Sequence, residues 1–390
     1  MPYNFDEIIP RKGTNCIKYD FAKERGMPED LLPMWVADMD FRTPKEVIEA
    51  LIKVASHGIF GYSEAKDDYF LAVRNWFATR FGFEPQREWL KKTPGVVYAL
   101  NTAIKAFTKE GDGVLIQSPV YYPFFSGIKN NQRTLVDSPL RYENGRYSID
   151  FADFEEKLKT SRAKLFLLCS PHNPVGRVWS REELLKLGQL CLKYNCLVLS
   201  DEIHCDFVFE GYRHLVFNTV DPRFNDITIL CTAPSKTFNL AGLMISNVFI
   251  ANRETKQLFA KEMERTGLSQ LSVMGLAANT AAYQYGAGWL SELLAYLQGN
   301  LATARSFIQK ELKGVSLVEP EGTYLLWLDF KALGRSHEEI NDLIVHKAKL
   351  WLDEGLIFGE NGRYFQRINI ACPRSVLEEA LAKLKAALFG

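Results

Sequence analysis

Three polar residues interrupt apolar stretches in a way that suggests chemistry. Asn173 lies in Ser170-Pro-His-Asn-Pro-Val-Gly176, Asp201 opens Asp201-Glu-Ile-His204, and Lys236 lies in Ala233-Pro-Ser-Lys-Thr-Phe-Asn-Leu-Ala-Gly242. Each has an ordinary explanation on its own. Pro, Asn and Gly dominate plain turns for conformational reasons. A buried acid needs a cation, which a structural arginine or a helix N-terminus supplies as well as a ligand does. Most lysines are solvated surface residues, and His204 reads equally as a core or surface histidine. A lysine in a partly desolvated pocket behaves differently: its pKa falls, and its neutral amine attacks carbonyl groups. Taken together, an amide donor, a carboxylate and a primary amine are what pyridoxal phosphate requires. The amine holds the aldehyde, the acid keeps the ring nitrogen protonated so that the ring withdraws electrons, and the amide bonds the ring oxygen.

Two further pieces fit that reading. Thr93-Pro-Gly95-Val96-Val97 opens an apolar helix expected over 97–107, and the free amides of a helix start make a phosphate site. Tyr121, in Ser118-Pro-Val-Tyr-Tyr-Pro, either lies against a flat cofactor or packs in the core.

The elements that must position these residues are legible as apolar runs. Val114–Gln117, Lys164–Cys169, Cys196–Ser200 and Ile227–Thr232 show little period-two alternation, as strands buried on both faces do. Between two of them, Ser180-Arg-Glu-Glu183 forms a capping box for a helix reaching about Tyr194. Strands alternating with helices imply an α/β fold with a mostly parallel sheet, and in such sheets ligands collect at the carboxyl ends of the strands. Asn173, Asp201 and Lys236 each follow such an end. Earlier in the chain, Thr43 and Pro44 are expected to start a helix that Gly58 stops. From about Trp289 the pattern changes to helices near 289–311, 336–349 and 375–388 around short strands at 323–329 and 366–370. This predicts an N-terminal segment at 1–45 packing with a small α+β domain at 286–390, and a large domain at 46–285.

Composition narrows the function classes. The 390 residues include 47 Lys plus Arg and 47 Asp plus Glu, so the zero net charge lacks the electrostatic footprint of a nucleic-acid binder. With 47% apolar residues the chain can bury a large core, yet no stretch is long and apolar enough to span a membrane. No secretory signal is expected in Met1-Pro-Tyr-Asn-Phe-Asp-Glu-Ile-Ile-Pro10. Seven scattered cysteines without a C-x-x-C pair point to reduced thiols in a cytoplasm, and to no metal site.

The ordered set Asn173-Pro174, Asp201-Glu-Ile-His204 and Ser235-Lys-Thr-Phe-Asn-Leu-Ala-Gly242 resembles the class I/II aminotransferase superfamily, fold type I of the pyridoxal phosphate enzymes. Within it the chain is most similar to the MalY/PatB-type cystathionine β-lyases. Met34–Phe41, Gly58–Tyr62, Asn131-Gln-Arg133, Arg367-Ile-Asn369 and Cys372-Pro-Arg374 carry that likeness along its length. The resemblance implies a seven-stranded, mostly parallel sheet between helices with a smaller α+β domain. It also implies a homodimer with shared active sites.

The implied roles follow residue by residue. Lys236 would hold the cofactor as a Schiff base, Asp201 would pair with the ring nitrogen, Asn173 would bond the ring hydroxyl, and Tyr121 would stack on the ring. Gly95, Val96 and Val97 would hold the phosphate through backbone amides, with Ser235 adding a contact. Arg367 would clamp the substrate α-carboxylate, a bidentate task suited to a guanidinium fork, assisted by the Ala37 amide. Tyr62 would reach into the partner's site. His204 stands where many aminotransferases have a tyrosine, as in the lyase branch. Ala233 and Met244 stand where a serine and an arginine commonly bind phosphate, so the phosphate site is less charged than usual. The implied reaction is β-elimination at a carbon–sulfur bond, turning cystathionine into homocysteine, pyruvate and ammonia, with cysteine, cystine and related S-conjugates as alternative substrates. Transamination between an amino acid and a 2-oxo acid is the alternative, and a regulatory partner-binding role is a third reading.

Overall fold

A computed structural model describes residues 3–390, so the first two residues of the expected N-terminal segment lie outside the described residues. Seven strands form the central sheet: β1 (Leu90–Thr93), β2 (Gly113–Ile116), β3 (Thr134–Asp137), β4 (Leu165–Cys169), β5 (Leu197–Asp201), β6 (Thr228–Thr232) and β7 (Ser246–Phe249). Their order is β1-β7-β6-β5-β4-β2-β3, and only β7 runs against the others. The four expected apolar runs are β2, β4, β5 and β6, each placed within a residue or so of the expected position.

The continuous apolar runs have a visible cause. Leu115, Phe166, Leu168 and Val198 face one core, beneath the helices Phe151–Ser161 and Arg181–Lys193. Their neighbours Val114, Ile116, Leu165, Leu167, Leu199 and Ile229 face another, beneath Val96–Phe107, Pro123–Asn130 and Arg253–Arg265. Both faces of the sheet are covered, so both sets of alternating positions are apolar.

The expected capping box forms, with the Ser180 hydroxyl accepting from the Glu183 amide and the Glu183 carboxylate accepting from the Ser180 amide. The start of the helix Lys45–His57 differs from expectation. Pro44 occupies the cap position and the buried Thr43 hydroxyl has no partner, because Thr43 sits one residue too early to reach the first free amides. Gly58 ends that helix with φ of 74°.

A second sheet, β8 (Ser316–Val318), β9 (Leu325–Asp329), β10 (Asp353–Glu354) and β11 (Phe365–Asn369), is antiparallel throughout in the order β8-β9-β11-β10. The long helix Ala287–Glu311 and the final helix Arg374–Phe389 pack together beside it. The helix expected over 336–349 is His337–Asp342 extended by a wider turn, Leu343–Lys347. The N-terminal segment is less irregular than its sequence suggests. It contains a short helix, Ile17–Asp20, and Leu32–Pro33 pairs in parallel with Leu350–Trp351. The Asn369 amide donates to the Met34 carbonyl and the Asp40 amide to the Ala371 carbonyl, so this segment is stitched to the second sheet.

Candidate active site

The register of the central sheet sets the site. Asp201 is the last residue of β5, level with Cys169 on β4 and Cys231 on β6. The loops leaving those three strands therefore open at one edge, where a cavity of about 240 Å³ is lined by Asn173, Asp201, His204, Ser235 and Lys236. Gly95, Val96 and Val97 at the start of Val96–Phe107 close one side, with Tyr121 and Ala37 on others. These ten residues were all singled out in the sequence. Two expected site residues lie elsewhere. Arg367 sits beyond the cavity wall and touches Asn173, and Tyr62 projects from segment 58–66 with its side chain 96% exposed.

Lys236 sits in the single helical turn Pro234–Thr237 directly after β6. The next residue anchors that turn: the Thr237 hydroxyl donates to Asp206, a buried carboxylate that also pairs with Arg80 at 2.7 Å. The amine is aimed by a carbonyl, with Lys236 Nζ donating to the Ala37 oxygen at 2.7 Å. The Tyr324 hydroxyl donates to the same oxygen at 3.0 Å. Asn369 holds the loop bearing Ala37 through the Val36 and Asp38 carbonyls, and Asn239 through those of Met39 and Phe41. On its outer side Arg11 pairs with Asp38 and Asp40, and the buried Lys18 pairs with Asp40. A loop fixed at so many points gives the lysine a rigid acceptor.

Burial lowers the Lys236 pKa from its ordinary 10.5 to about 8; Arg367 adds to the effect, while Asp38 and Asp201 oppose it. The neutral, nucleophilic amine is thus abundant at mildly alkaline pH. The rate at which cofactor-free protein captures pyridoxal phosphate, followed by visible absorbance, is expected to rise with pH around a midpoint near 8 rather than 10.5. A midpoint near the ordinary lysine value would show that the amine is solvated.

Asp201 is pushed the other way. Burial raises its carboxyl from 3.8 to about 7, although the Ile203 amide, donating at 3.2 Å, and the charge of Lys236 both favour the ionised form. A carboxylate held in so dry a place gains strongly from a cation placed against it. His204, also buried, is held well toward its neutral form by burial, then by Lys236 and Arg367, and its Nδ1 has no partner. Gly95 has φ of 124°, a conformation side chains rarely adopt, and a Cβ there would meet nothing within 4 Å. The helix start therefore presents bare amides to the cavity. A raised acid, a lowered lysine, an orphaned imidazole nitrogen and an open cradle of amides suit an aromatic nitrogen heterocycle bearing an aldehyde and a phosphate.

Other residues at the site escaped the sequence reading. Cys169 lines the cavity, its sulfur accepting from the Asn173 amide at 3.3 Å. Tyr324 is fully buried, and nothing in its local sequence indicates that its hydroxyl reaches Ala37. Asp353 faces Arg367 across β10 and β11, and the two form a buried ion pair. A signal for Asp353 was present: an acid following Leu350-Trp-Leu352 is as costly to bury unpaired as Asp201.

The chain matches the family model described as aminotransferase class I and II over residues 29–384. It is 43% identical to cystathionine beta-lyase PatB of Bacillus subtilis (strain 168), the alignment covering 99% of this chain and 100% of that protein. It is 35% identical to Protein MalY of Escherichia coli (strain K12), covering 98% of each. Among solved structures, cystalysin from Treponema denticola, which contains a pyridoxal 5'-phosphate cofactor, aligns with a TM-score of 0.96 at 39% identity, covering 100% of this chain and 99% of that one.

Proposed function

The chain belongs to the class I and II aminotransferase family, in its MalY/PatB-type branch, and from that premise we propose that it is a pyridoxal-phosphate-dependent carbon–sulfur lyase. It cleaves the Cβ–S bond of a sulfur amino acid, converting L-cystathionine and water into L-homocysteine, pyruvate and ammonia. The observation that carries this reading is the convergence of Lys236 and Asp201 on one cavity, in a chain that matches a cystathionine β-lyase along nearly its whole length.

The bound cofactor supplies an electron-withdrawing ring conjugated to the substrate nitrogen. The chain's own residues do the rest. Lys236 would hold the aldehyde, and its amine, aimed by the Ala37 carbonyl, would take the substrate Cα proton. Asp201 would pair with the ring nitrogen and keep a proton there, and that cation would hold Asp201 ionised. The Asn173 Oδ1 accepts from Arg367 at 3.0 Å, so its amide nitrogen is the group left to donate to the ring oxygen. The amides of Gly95, Val96 and Val97, with Ser235, take the phosphate. The neutral site on His204 and the apolar Met244 leave that phosphate to the helix start. A proton given to the sulfur leaving Cβ would assist its departure, and Lys236 or the partner copy's counterpart of Tyr62 would give it.

Arg367 receives the α-carboxylate. Asn173, the Trp35 carbonyl and Asp353 fix its guanidinium, while its buried Nε has no partner. Lysine at this position is expected to raise KM about 10- to 100-fold with a smaller change in kcat, because charge-assisted bonds are lost from ground and transition state alike. An unchanged KM would place the carboxylate elsewhere.

The protein acts as a homodimer in this reading. Ile59, Phe60 and Tyr62 are all exposed on one segment, an apolar cluster best explained by a covering second copy. The unit carrying Lys236 and Asp201 is residues 46–285, and residues 286–390, packed with the N-terminal segment described from residue 3 to 45, bring Arg367. Six of the seven cysteines are buried as free thiols, which supports a reducing, cytoplasmic setting. No helix among the described residues is long and apolar enough to cross a membrane.

Purified protein given cystathionine is expected to release pyruvate and a free thiol with no added 2-oxo acid. Strict dependence on an oxo acid, without thiol release, would make it an aminotransferase instead.

A further inference from the structure

Three chain segments meet on one carboxylate. Asp206 is buried, and its Oδ2 accepts from the Thr237 hydroxyl at 2.8 Å and from Trp76 Nε1 at 3.3 Å. Its Oδ1 accepts from Arg80 Nε at 2.7 Å. Trp76 and Arg80 lie on the helix Asp67–Phe81, Thr237 follows Lys236, and Asp206 follows Asp201 along one loop. That loop is bonded within itself. The Ile203 amide donates to the Asp201 carboxylate, the Cys205 amide to the Glu202 carbonyl and the Phe207 amide to the His204 carbonyl. Fixing the Asp206 side chain therefore fixes Asp201 and His204 as well.

The turn bearing Lys236 needs such an anchor. Pro234–Thr237 is a single helical turn, too short to hold its shape through its own backbone bonds, and no side chain caps its start. Among the described residues its only side-chain hydrogen bonds are those of Lys236 and Thr237. Lys236 gives up its bond to Ala37 whenever its amine is used, which leaves the Thr237 hydroxyl holding the turn. Stability alone does not explain a carboxylate here. Burying one is costly, and an apolar side chain of similar volume is often as stable in such a place. What the carboxylate adds is direction, because its two oxygens take donors from the helix and from the lysine turn at once.

We propose that Asp206 is a positioning residue: through Thr237 it sets how far the Lys236 amine stands from Asp201 and keeps that amine pressed into the cavity wall. This rests on reading Lys236 as the lysine that binds pyridoxal phosphate. It goes beyond that reading by giving a role to Asp206, Thr237, Trp76 and Arg80, none of which lines the cavity.

Two changes at Thr237 test it on the full chain. Thr237→Val removes the donor at nearly constant shape, and Thr237→Ser keeps it. Asp38, Asp201, His204 and Arg367, the charged and titratable groups that face Lys236, are untouched in both. With the turn loosened the amine meets more water, so the pH midpoint for capture of pyridoxal phosphate by cofactor-free protein is expected to rise in Thr237→Val. Capture at about pH 7 should fall about threefold or more, the effect of half a pKa unit on the neutral amine, and Thr237→Ser should restore it. In the holoenzyme Thr237→Val should lower kcat for cystathionine about tenfold with little change in KM, because a misplaced base costs rate without weakening the carboxylate clamp. Asp206→Asn should move the capture midpoint the same way, and adding Thr237→Val to it should cost nothing more, since both act through one bond. Where Asp206→Asn fails to fold, the Thr237 pair decides alone. A lowered melting temperature in Thr237→Val with midpoint and kcat as in wild type makes the bond merely structural and overturns the proposal, as do equal losses in the serine and valine variants. Failure of the wild-type protein to capture pyridoxal phosphate overturns the cofactor reading and the positioning role with it.

Discussion

Replacing Lys236 by alanine is expected to abolish detectable turnover, a fall of at least about 10⁴-fold, because in the proposed reaction one amine serves both as covalent anchor and as general base. The visible absorbance of lysine-bound cofactor should vanish at the same time. No neighbour takes over. Among the described residues the only other nitrogen base lining the cavity is His204, which is held toward its neutral form but lies three residues beyond Asp201 with its ring against Tyr324, centroids 5.7 Å apart. The loss is chemical, not structural, and stability shows the difference. Because the folded pKa of Lys236 is near 8 and its unfolded value 10.5, the folded chain binds fewer protons than the unfolded one between those values. Stability therefore rises with pH across that window, and below it the penalty of burying the ammonium is fully present. Alanine removes that penalty together with the bond to Ala37, so at neutral pH the melting temperature should stay within about 4 °C of wild type. Turnover near wild type would refute the assignment, and a collapsed melting transition would show that Lys236 is a structural residue.

The parts of this site that could be read from the chain are those in which burial leaves a compositional trace. Strands β4, β5 and β6 are covered on both faces, so they appear as unbroken apolar runs, and a polar residue at the end of each stands out. Asn173, Asp201 and Lys236 were legible for that reason. The loop at 36–41 was not, because its rigidity comes from Asn239 and Asn369, whose partners lie about 200 and 330 residues away. Periodicity cannot report such contacts. Nor can it report which backbone group faces a site: the amide of Ala37 was the expected substrate contact, whereas its carbonyl is the group that engages Lys236. Asp353 is intermediate, since its cost when buried is evident in sequence but its partner, Arg367, is identified only by strand register. Tyr62 shows the opposite limit. In the proposed homodimer a second copy would cover it, and no pattern within one chain reports such a contact.

Asp201→Asn is expected to leave cofactor binding intact and cut turnover by about 10²–10³, the scale on which a preorganised charge acts in a dry site. Asparagine keeps the shape and can still accept from the Ile203 amide, so geometry is preserved. It loses the charge that in the proposed reaction would hold a proton on the ring nitrogen, and without that proton the ring is a poor electron sink. Glu202, the adjacent acid, cannot substitute, because the Ser200 hydroxyl, the Phe217 amide and His214 already engage its carboxylate in the core. A second readout is independent of activity. In the cofactor-free protein Asp201 has a pKa of about 7 against an ordinary 3.8, so between those values the folded chain holds a proton that the unfolded chain has released. Wild-type cofactor-free protein should therefore lose stability as pH rises from about 4 to about 7, and the asparagine variant should lack that contribution. Cofactor binding should remove that dependence in wild type, because a ring cation would restore the carboxylate to the ionised form it has in the unfolded chain. Unchanged turnover in the variant would mean that a different group protonates the ring, and parallel pH–stability curves for the two cofactor-free proteins would mean that Asp201 is solvated rather than buried beneath the site.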